Sequence, residues 1–351
     1  MRTKNKVMIF VFMLTALTGS PTKASQSEVK VEKKTIKLGE EEVLSATQMI
    51  ILPESEKILL IKNYGKNLEI IDEQQKVIAG ISLENSGYKL LKAFCGKAGD
   101  QILMFIQPLN NSPFEHDHFL AIWNPPNGEM KILYKFGERY ESKGVLGLNV
   151  ALSPDGKEIA FYGKLHPDEG LKFWILNLST LQTRLIGDFY SGGSIVWSNT
   201  GRYIAYNRIE GERAPFRPYL WIYDVEKDTH WLLAEGGDLW KSFSPDDRWI
   251  VFNSKEGNIW LGKVDGSEFR TLARLLGSDY EWSPDGQKIA FYWAKADPIR
   301  DKETEAYLYV VNIDGTGLRR LAELPPGLMP ARLGFRWKDD STIVVYELKQ
   351  R

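Results

Sequence analysis

The sequence predicts an all-β fold, namely a β-propeller with seven blades whose ring is closed by strands near the N-terminus. A tight turn followed by a short apolar run recurs along the 351 residues. Its period of about 40–50 residues is typical of propellers. Further short apolar stretches follow each copy, as four-stranded blades require. Aromatic residues make up 12% of the chain, which also favours strands. A ring of six blades is the alternative.

The turn itself has a clear physical basis. Its best copy, Ser283–Gly286, has the sequence Ser-Pro-Asp-Gly and lies between Trp282 and the apolar run 289–291. Proline sets φ for the second position, aspartate suits the third, and glycine takes the left-handed conformation that a bulged hairpin needs. The aspartates of these turns therefore recur for structural reasons, and we assign them no catalytic role.

Each copy leads to an isoleucine in the second strand of its blade. These marker isoleucines are Ile58, Ile102, Ile159, Ile204, Ile250, Ile289 and Ile343. Six repeats continue with a third and a fourth strand, whereas the seventh has only two. Segments 29–31 and 35–38 alternate apolar and polar residues, so we expect two N-terminal strands to complete the last blade and remove its open edge.

The turn followed by Ile-Ala-Phe resembles the TolB-type propeller repeat, a relative of the WD repeat. The matching segments are 152–161, 197–206, 243–252 and 282–291. The resemblance implies a secreted or periplasmic propeller, in a family of envelope scaffold proteins and gating domains of serine peptidases. We find no counterpart of the additional N-terminal domain of TolB, and no Gly-x-Ser-x-Gly motif with a hydrolase domain. The repeat therefore indicates the fold and leaves the function open.

Residues 1–24 have the pattern of a signal peptide. Three basic residues precede the apolar segment 7–17, and small residues follow at 22–24. We expect cleavage near Ser25, a single propeller domain over 25–351, and no membrane span after cleavage. The protein would then be exported to the periplasm, the cell envelope or the exterior. An uncleaved signal anchor is the alternative.

Charge and residue content exclude several kinds of site. The net charge of −1 gives no indication of nucleic-acid or anionic-membrane binding. The single cysteine, Cys95, rules out an internal disulfide. His116 and His118 flank Asp117, yet two ligands from adjacent positions do not make a metal site. No Ser/His/Asp arrangement or phosphate-binding loop is present, so we assign no catalytic residue, metal or cofactor.

The loops indicate where a ligand could bind. In a propeller, the connections after the second and fourth strands share one face, and here they are long at 107–118, 163–172, 207–219 and 293–306. The candidate ligand-facing residues on this long-loop face are Asp188, Tyr190, Arg208, Arg213, Arg217, Asp238, Trp240, Asp279, Tyr280 and Glu281. The four acidic ones lie near the axis, where they would create a negative potential at the channel mouth.

We therefore expect a monomeric, non-enzymatic propeller that binds a protein or peptide, preferably a basic one, on its long-loop face. One alternative is an enzyme at the channel mouth, such as a sugar lyase or lactonase. Another is a purely structural envelope component. An enzyme would cluster a base with an electrostatic partner and shift their pKa values, whereas a binding module would present a broad aromatic and charged rim.

Overall fold

The chain forms seven blades around a central axis, as the repeat predicts. The computed structural model describes residues 28–38, 48–52, 55–95, 101–109, 118–126, 128–136, 150–163, 165, 172–188, 194–210, 217–297, 302–327 and 332–350. These residues form β-strands and two short 3-10 turns, Asn63–Gly65 and Glu84–Ser86. The proposed signal peptide lies outside the described residues and stays a prediction.

Blades 1 to 3 each have four antiparallel strands. Blade 1 consists of β2 (Gln48–Ile51), β3 (Ile58–Lys62), β4 (Asn67–Ile71) and β5 (Val77–Ser82). Blade 2 consists of β6 (Tyr88–Cys95), β7 (Ile102–Pro108), β8 (His118–Trp123) and β9 (Lys131–Phe136). Blade 3 consists of β10 (Val150–Leu152), β11 (Glu158–Gly163), β12 (Lys172–Asn177) and β13 (Thr183–Gly187).

Blades 4 and 5 share one strand, β17 (Thr229–Phe243), which is outermost in blade 4 and innermost in blade 5. Blade 4 also contains β14 (Val196–Trp197), β15 (Tyr203–Glu210) and β16 (Arg217–Asp224). Blade 5 adds β18 (Trp249–Ser254), β19 (Ile259–Lys263) and β20 (Phe269–Ala273). Blade 6 consists of β21 (Ser278–Trp282), β22 (Lys288–Asp297), β23 (Lys302–Asn312) and β24 (Arg319–Leu324). In blade 7, β25 (Leu333–Asp339) and β26 (Thr342–Gln350) are joined by β1 (Lys30–Leu38).

The marker isoleucines occupy equivalent places in all seven blades. Each is at most 2% exposed, because it lies in a strand packed between two neighbouring blades. Each pairs with the same position of its inner strand, which is filled by Ile51, Cys95, Leu152, Trp197, Phe243, Trp282 and Trp337. The repeat identified in the sequence is thus the structural repeat.

A buried serine holds four of the turns that follow an inner strand. Ser153, Ser198, Ser244 and Ser283 each accept a hydrogen bond on the side-chain hydroxyl from the amide five residues later, at 2.9–3.0 Å. The glycine of the Ser283 turn has a φ of +67°, the left-handed conformation that the sequence requires there. The turns are therefore structural elements, as predicted.

One turn departs from this pattern and joins two blades. Asp247 replaces the glycine and adopts a φ of +57°, which is strained for a residue with a Cβ atom. Its carboxylate accepts hydrogen bonds from the amides of Asn199 at 2.7 Å and Thr200 at 2.8 Å in the turn of blade 4. The strain at Asp247 is thus offset by contacts that fasten blade 4 to blade 5.

Inner-strand tryptophans also connect neighbouring blades. The indole Nε1 of Trp197 donates to the carbonyl of Ala151 at 3.0 Å. Trp282 donates in the same way to Ser242 at 3.3 Å, and Trp337 to Glu281 at 3.0 Å. Each bond reaches the inner strand of the preceding blade, so the repeated tryptophan supplies both apolar burial and a directional contact between blades.

The N-terminal segment closes the ring, but as one strand rather than the two that the sequence predicts. β1 pairs with β26 over Lys30–Leu38, and the pairing is parallel. Among the described residues, blade 7 has no strand equivalent to the third strand of the other blades. β1 therefore runs in the direction of a fourth strand, which is parallel to the second. This direction brings its end to the side where the inner strand of blade 1 begins.

Two of the four predicted long loops are largely strand. β15 and β16 leave only 211–216 between them, and β22 and β23 leave only 298–301. Trp293 stacks on Tyr307 across the second hairpin with ring centroids 5.8 Å apart, and Lys295 pairs with Glu305 at 3.1 Å. Such cross-strand pairs extend a hairpin beyond its blade. The predicted loops at 107–118 and 163–172 fall mostly outside the described residues.

Proline substitutions test the closure. The Lys30 amide donates to Ser341 in the connection before β26 at 2.7 Å, whereas the Lys37 amide faces outward to the Gln75 side chain. Because the amides of successive residues in a strand point to alternate sides, the amide of Glu32 faces β26 like that of Lys30. The amide of Lys33 faces away from β26 like that of Lys37. Glu32→Pro should reduce the free energy of unfolding by about 2 kcal/mol, since the partner carbonyl loses its donor.

Lys33→Pro is the matched control, and it should cost less because its amide does not pair with β26. Glu32→Ala corrects for the loss of the exposed Glu32–Lys338 ion pair, in which the charged atoms lie 3.3 Å apart. Urea titration measures all three variants. Equal losses for the two proline variants would contradict the parallel register.

Candidate functional site

One residue of each inner strand faces the central channel at the same height. These residues are Ile50, Phe94, Ala151, Val196, Ser242, Glu281 and Arg336, and all keep exposed surface. The residue before each of them is buried: Met49, Ala93, Val150, Ile195, Lys241, Tyr280 and Phe335. Because side chains of a strand alternate between its two faces, the buried set packs between blades and the exposed set forms a ring around the axis.

The ring has two chemically different halves. Blades 1 to 4 contribute only apolar side chains, and the inner strands of these blades line a cavity of about 510 Å³. Blades 5 to 7 contribute Ser242, Glu281 and Arg336. A second cavity of about 800 Å³ lies between the inner strands of blades 6, 7 and 1, and it contains Asp279, Glu281 and Arg336. All the charged residues of the ring therefore lie on one side.

A β-bulge places the Asp279 carboxylate in the second cavity. The register of β21 and β22 shifts between Ser278 and Glu281, and Asp279 has a φ of +51°. This conformation is strained in a residue other than glycine, and bulges commonly re-aim side chains at functional sites. The Ser278 hydroxyl donates to Asp279 Oδ2 at 2.8 Å. Two carboxylates of one strand thus share one cavity.

The channel wall changes the acidity of both groups. Enclosure by protein raises the pKa of Glu281 to about 7, the negative charge of Asp279 raises it further, and Arg336 acts in the opposite direction. The Glu281 side chain is nevertheless exposed to the channel, so solvent in the channel reduces the effect of enclosure on its pKa. Burial also raises the pKa of Asp279, helped by Glu303. Within the described part of the chain, neither carboxylate belongs to an ion pair.

Arg336 lies in the inner strand of blade 7 but is bound to blade 1. Its guanidinium donates to the carbonyl oxygens of Leu52, at 3.2 Å, and Ser55, and its centre lies 5.8 Å from the Tyr346 ring centroid. Arg336 is not among the ligand-facing residues predicted from the sequence. It precedes Trp337 as Glu281 precedes Trp282, so an alignment of the inner strands would have found it.

On its blade 1 side, the second cavity contains Glu56, which forms an ion pair with Lys34. Glu56 Oε2 lies 2.5 Å from Lys34 Nζ of β1. The Lys34 ammonium lowers the pKa of Glu56 by hydrogen bonding. Of the carboxylates that line this cavity, Asp279 and Glu281 of blade 6 are the ones without a cationic partner among the described residues. These two groups are the ones available to a ligand.

The structure brings together only part of the predicted acidic mouth. Asp279 and Glu281 share the second cavity, whereas Asp188 is exposed just after β13. Tyr280 does not face the mouth, which corrects the prediction. It is buried, and its hydroxyl donates to Asn253, because alternation along β21 turns it away from the channel. Tyr280 thus supports the site from behind.

The other predicted contacts are outside this cavity or outside the described residues. The Arg208 guanidinium lies 5.2 Å from the Trp221 ring centroid within blade 4. Tyr190 and Arg213, and the side chains of Asp238, Trp240 and Arg217, lie outside the described parts of the structure. Their ligand-facing roles remain predictions.

Metal-binding groups and membrane-spanning helices are both absent from the described residues. Over the described ranges, no group of three or more His, Cys, Asp or Glu residues is arranged to hold a metal ion. In the same ranges, no helix is long and apolar enough to cross a membrane. The channel carboxylates are therefore the site that the described residues define most clearly.

The fold defines the class of protein: a seven-bladed β-propeller. No protein-family model matches the chain. An uncharacterized protein of Agrobacterium fabrum is 27% identical over 185 residues, which cover 49% of this chain and 60% of that protein. The chain thus spans less than two thirds of that relative.

Solved structures similar to this chain include an oligogalacturonate lyase, a prolyl endopeptidase and TolB. An oligogalacturonate lyase in complex with manganese has a TM-score of 0.55 at 13% identity, covering 74% of this chain and 75% of the lyase. A prolyl endopeptidase has a TM-score of 0.58 at 9% identity, covering 85% and 46%. TolB from Acinetobacter baumannii has a TM-score of 0.48 at 15% identity, covering 86% and 66%. At these identities the similarity shows the fold alone.

Because the pKa of Glu281 is raised on folding, the stability of the protein should depend on pH. An unfolded glutamate has a pKa near 4.5, and the folded one near 7. Between these values the folded protein holds a proton that the unfolded chain releases, so rising pH destabilises the fold. Glu281→Gln stays neutral, and its Tm should exceed that of the wild type increasingly from pH 5 to pH 8.

Thermal melts at several pH values measure this difference. Glu84→Gln is the control, because Glu84 is exposed on the long-loop face and does not line the cavity. Its Tm difference from the wild type should not change with pH. A Tm difference for Glu281→Gln that is also constant with pH would show that the pKa of Glu281 is not raised.

Proposed function

We propose that the protein is an exported, non-enzymatic binding module that takes a basic segment of a protein or peptide into the channel cavity between blades 6, 7 and 1. The observation that carries this proposal is the pair of carboxylates, Asp279 and Glu281, in one cavity without an ion pair among the described residues. Their raised pKa values reflect unfavourable enclosure of negative charge. A bound ammonium or guanidinium group would relieve that cost.

The size of the cavity suits this role. Its volume of about 800 Å³ lies in the range of ordinary ligand pockets, roughly 300–1,000 Å³. The strained backbone at Asp279 supports a role in binding, since strain persists where the surrounding structure holds a functional side chain in place. A lysine or arginine side chain with part of its backbone would fit this space.

Three cations line the two cavities and oppose a basic ligand, but each has contacts of its own outside blade 6. Lys338 pairs with Glu32 of β1 at 3.3 Å. Arg336 is bound to the carbonyl groups of blade 1. Lys92 lies in blade 2, with its Nζ 4.8 Å from the ring centroid of Phe94. Their positions direct an incoming cation towards Asp279 and Glu281 rather than to the opposite wall.

Binding of a labelled tetralysine peptide tests the proposal. Asp279→Asn and Glu281→Gln should each weaken its Kd about tenfold, the effect expected from losing one charge-assisted contact. Fluorescence anisotropy at low salt measures the affinity, and tetraglutamate is the negative probe. Glu84→Gln should bind tetralysine like the wild type. Equal affinity of all four proteins for tetralysine would overturn the proposal.

The same binding should depend on pH. A cation needs the ionised form of Glu281, whose pKa of about 7 leaves about a tenth of it ionised at pH 6 and nine tenths at pH 8. The affinity for tetralysine should therefore rise about tenfold from pH 6 to pH 8, and this dependence should disappear in Glu281→Gln. A wild-type affinity that stays constant over this range would contradict a role for the Glu281 carboxylate.

A channel-mouth enzyme is the second candidate, because a carboxylate with a pKa near 7 is matched to general-base catalysis at neutral pH. Turnover assays with polygalacturonate and with simple lactones test it. In an enzyme, Glu281→Gln would reduce kcat at least a hundredfold with little change in KM. Absence of turnover together with tight tetralysine binding favours the binding module.

A further inference from the structure

We infer that the channel selects a basic residue with a large apolar residue directly beside it in an extended segment. This inference rests on the proposed function and specifies its ligand. The charged and apolar halves of the ring are its basis. Each half occupies consecutive blades, so at the height of the ring the channel has two opposed walls.

The two walls face each other across the axis. In a ring of seven blades, blade 6 lies opposite the junction of blades 2 and 3. Glu281 therefore lies across the channel from Phe94 and Ala151, both of which keep exposed surface. In an extended chain, consecutive side chains point in opposite directions. A basic residue that reaches Glu281 thus directs its neighbour to the apolar wall.

Two large apolar side chains near the start of β6 are exposed. Leu91 is displaced by a β-bulge between Leu90 and Lys92 and is 43% exposed. Tyr64 is 75% exposed. Its turn lies against β6, since a Cβ atom at Gly65 would come within 2.7 Å of the Leu90 carbonyl oxygen. Both side chains belong to blades 1 and 2, in the half of the ring to which the apolar neighbour is directed.

Lys92 fixes the orientation of the ligand. It precedes Phe94 by two positions in β6 and lines the apolar cavity, with its ammonium above the Phe94 ring. Burial lowers the pKa of Lys92, and its charge repels a basic side chain from this wall. The basic residue is accepted at blade 6 alone, so Lys92 disfavours the placement in which the basic side chain faces the apolar wall.

Three labelled hexapeptides test the inference by fluorescence anisotropy. The first alternates lysine and leucine, the second lysine and serine, and the third glutamate and leucine. The wild-type protein should bind the lysine–leucine probe at least about tenfold tighter than the lysine–serine probe, since one leucine side chain becomes buried. The glutamate–leucine probe should bind at least about tenfold more weakly than the lysine–leucine probe.

Variants of the two walls separate their contributions. Phe94→Ser should remove most of the preference for leucine and leave the affinity for the lysine–serine probe within threefold of the wild type. Val196→Ser changes the same wall in another blade, and it keeps the test decisive if Phe94→Ser does not fold. Glu281→Gln should weaken both lysine probes equally and keep the preference for leucine.

The binding results distinguish failure of the basic–apolar selection from failure of the proposed function. Lysine–leucine and lysine–serine probes that bind within threefold of each other would overturn the selection of a basic–apolar pair and leave the proposed function standing. Failure of both lysine probes to bind would overturn the proposed function itself. Equal binding of the glutamate–leucine probe would show that the charged wall selects nothing.

Discussion

The pairing of β1 with β26 is the interaction on which the channel depends. It joins the first and last parts of the chain and brings blade 7 against blade 1. Polar contacts reinforce the junction: Arg336 reaches the carbonyl of Leu52, and the Gln75 amide bonds to the outer edge of β1 at Thr35. The larger cavity lies at this junction. Without the closure, the blade 7 and blade 1 sides of the cavity that contains Asp279 and Glu281 would separate, and an open strand edge would remain.

The candidate site is costly for stability, and the rest of the ring offsets that cost. Asp279 holds a left-handed backbone conformation, and enclosed Glu281 favours its neutral form. Both features destabilise the fold at neutral pH. They occur in blade 6, whose inner strand is also held on both sides by indole–carbonyl hydrogen bonds from Trp282 and Trp337. Rigid neighbours thus keep an unfavourable local arrangement in place, as binding sites commonly require.

The repeat allowed the fold to be predicted because its turn chemistry and marker isoleucines are local signals. The same repeat placed Asp279 and Glu281 near the axis, but strict alternation should have excluded Tyr280, whose side chain points into the blade. The bulge at Asp279 and the bond from Arg336 to Leu52 were not predictable. A bulge depends on the facing strand, and the Arg336 contact joins residues 284 positions apart. The single parallel strand β1 occurs because blade 7 has no third strand among the described residues, which the spacing of apolar residues does not reveal.

The central claim is that an enclosed carboxylate of blade 6 receives a cation. The most direct measurement is the pKa of Glu281 itself, followed by NMR of a protein with 13C-labelled glutamate carboxyl groups and assigned with Glu281→Gln. The free protein should show a carboxyl group that titrates at about 7. A saturating lysine peptide should lower that pKa towards the ordinary value for glutamate, because the bound charge favours the ionised form. A pKa that stays unchanged when the peptide is bound would contradict the account.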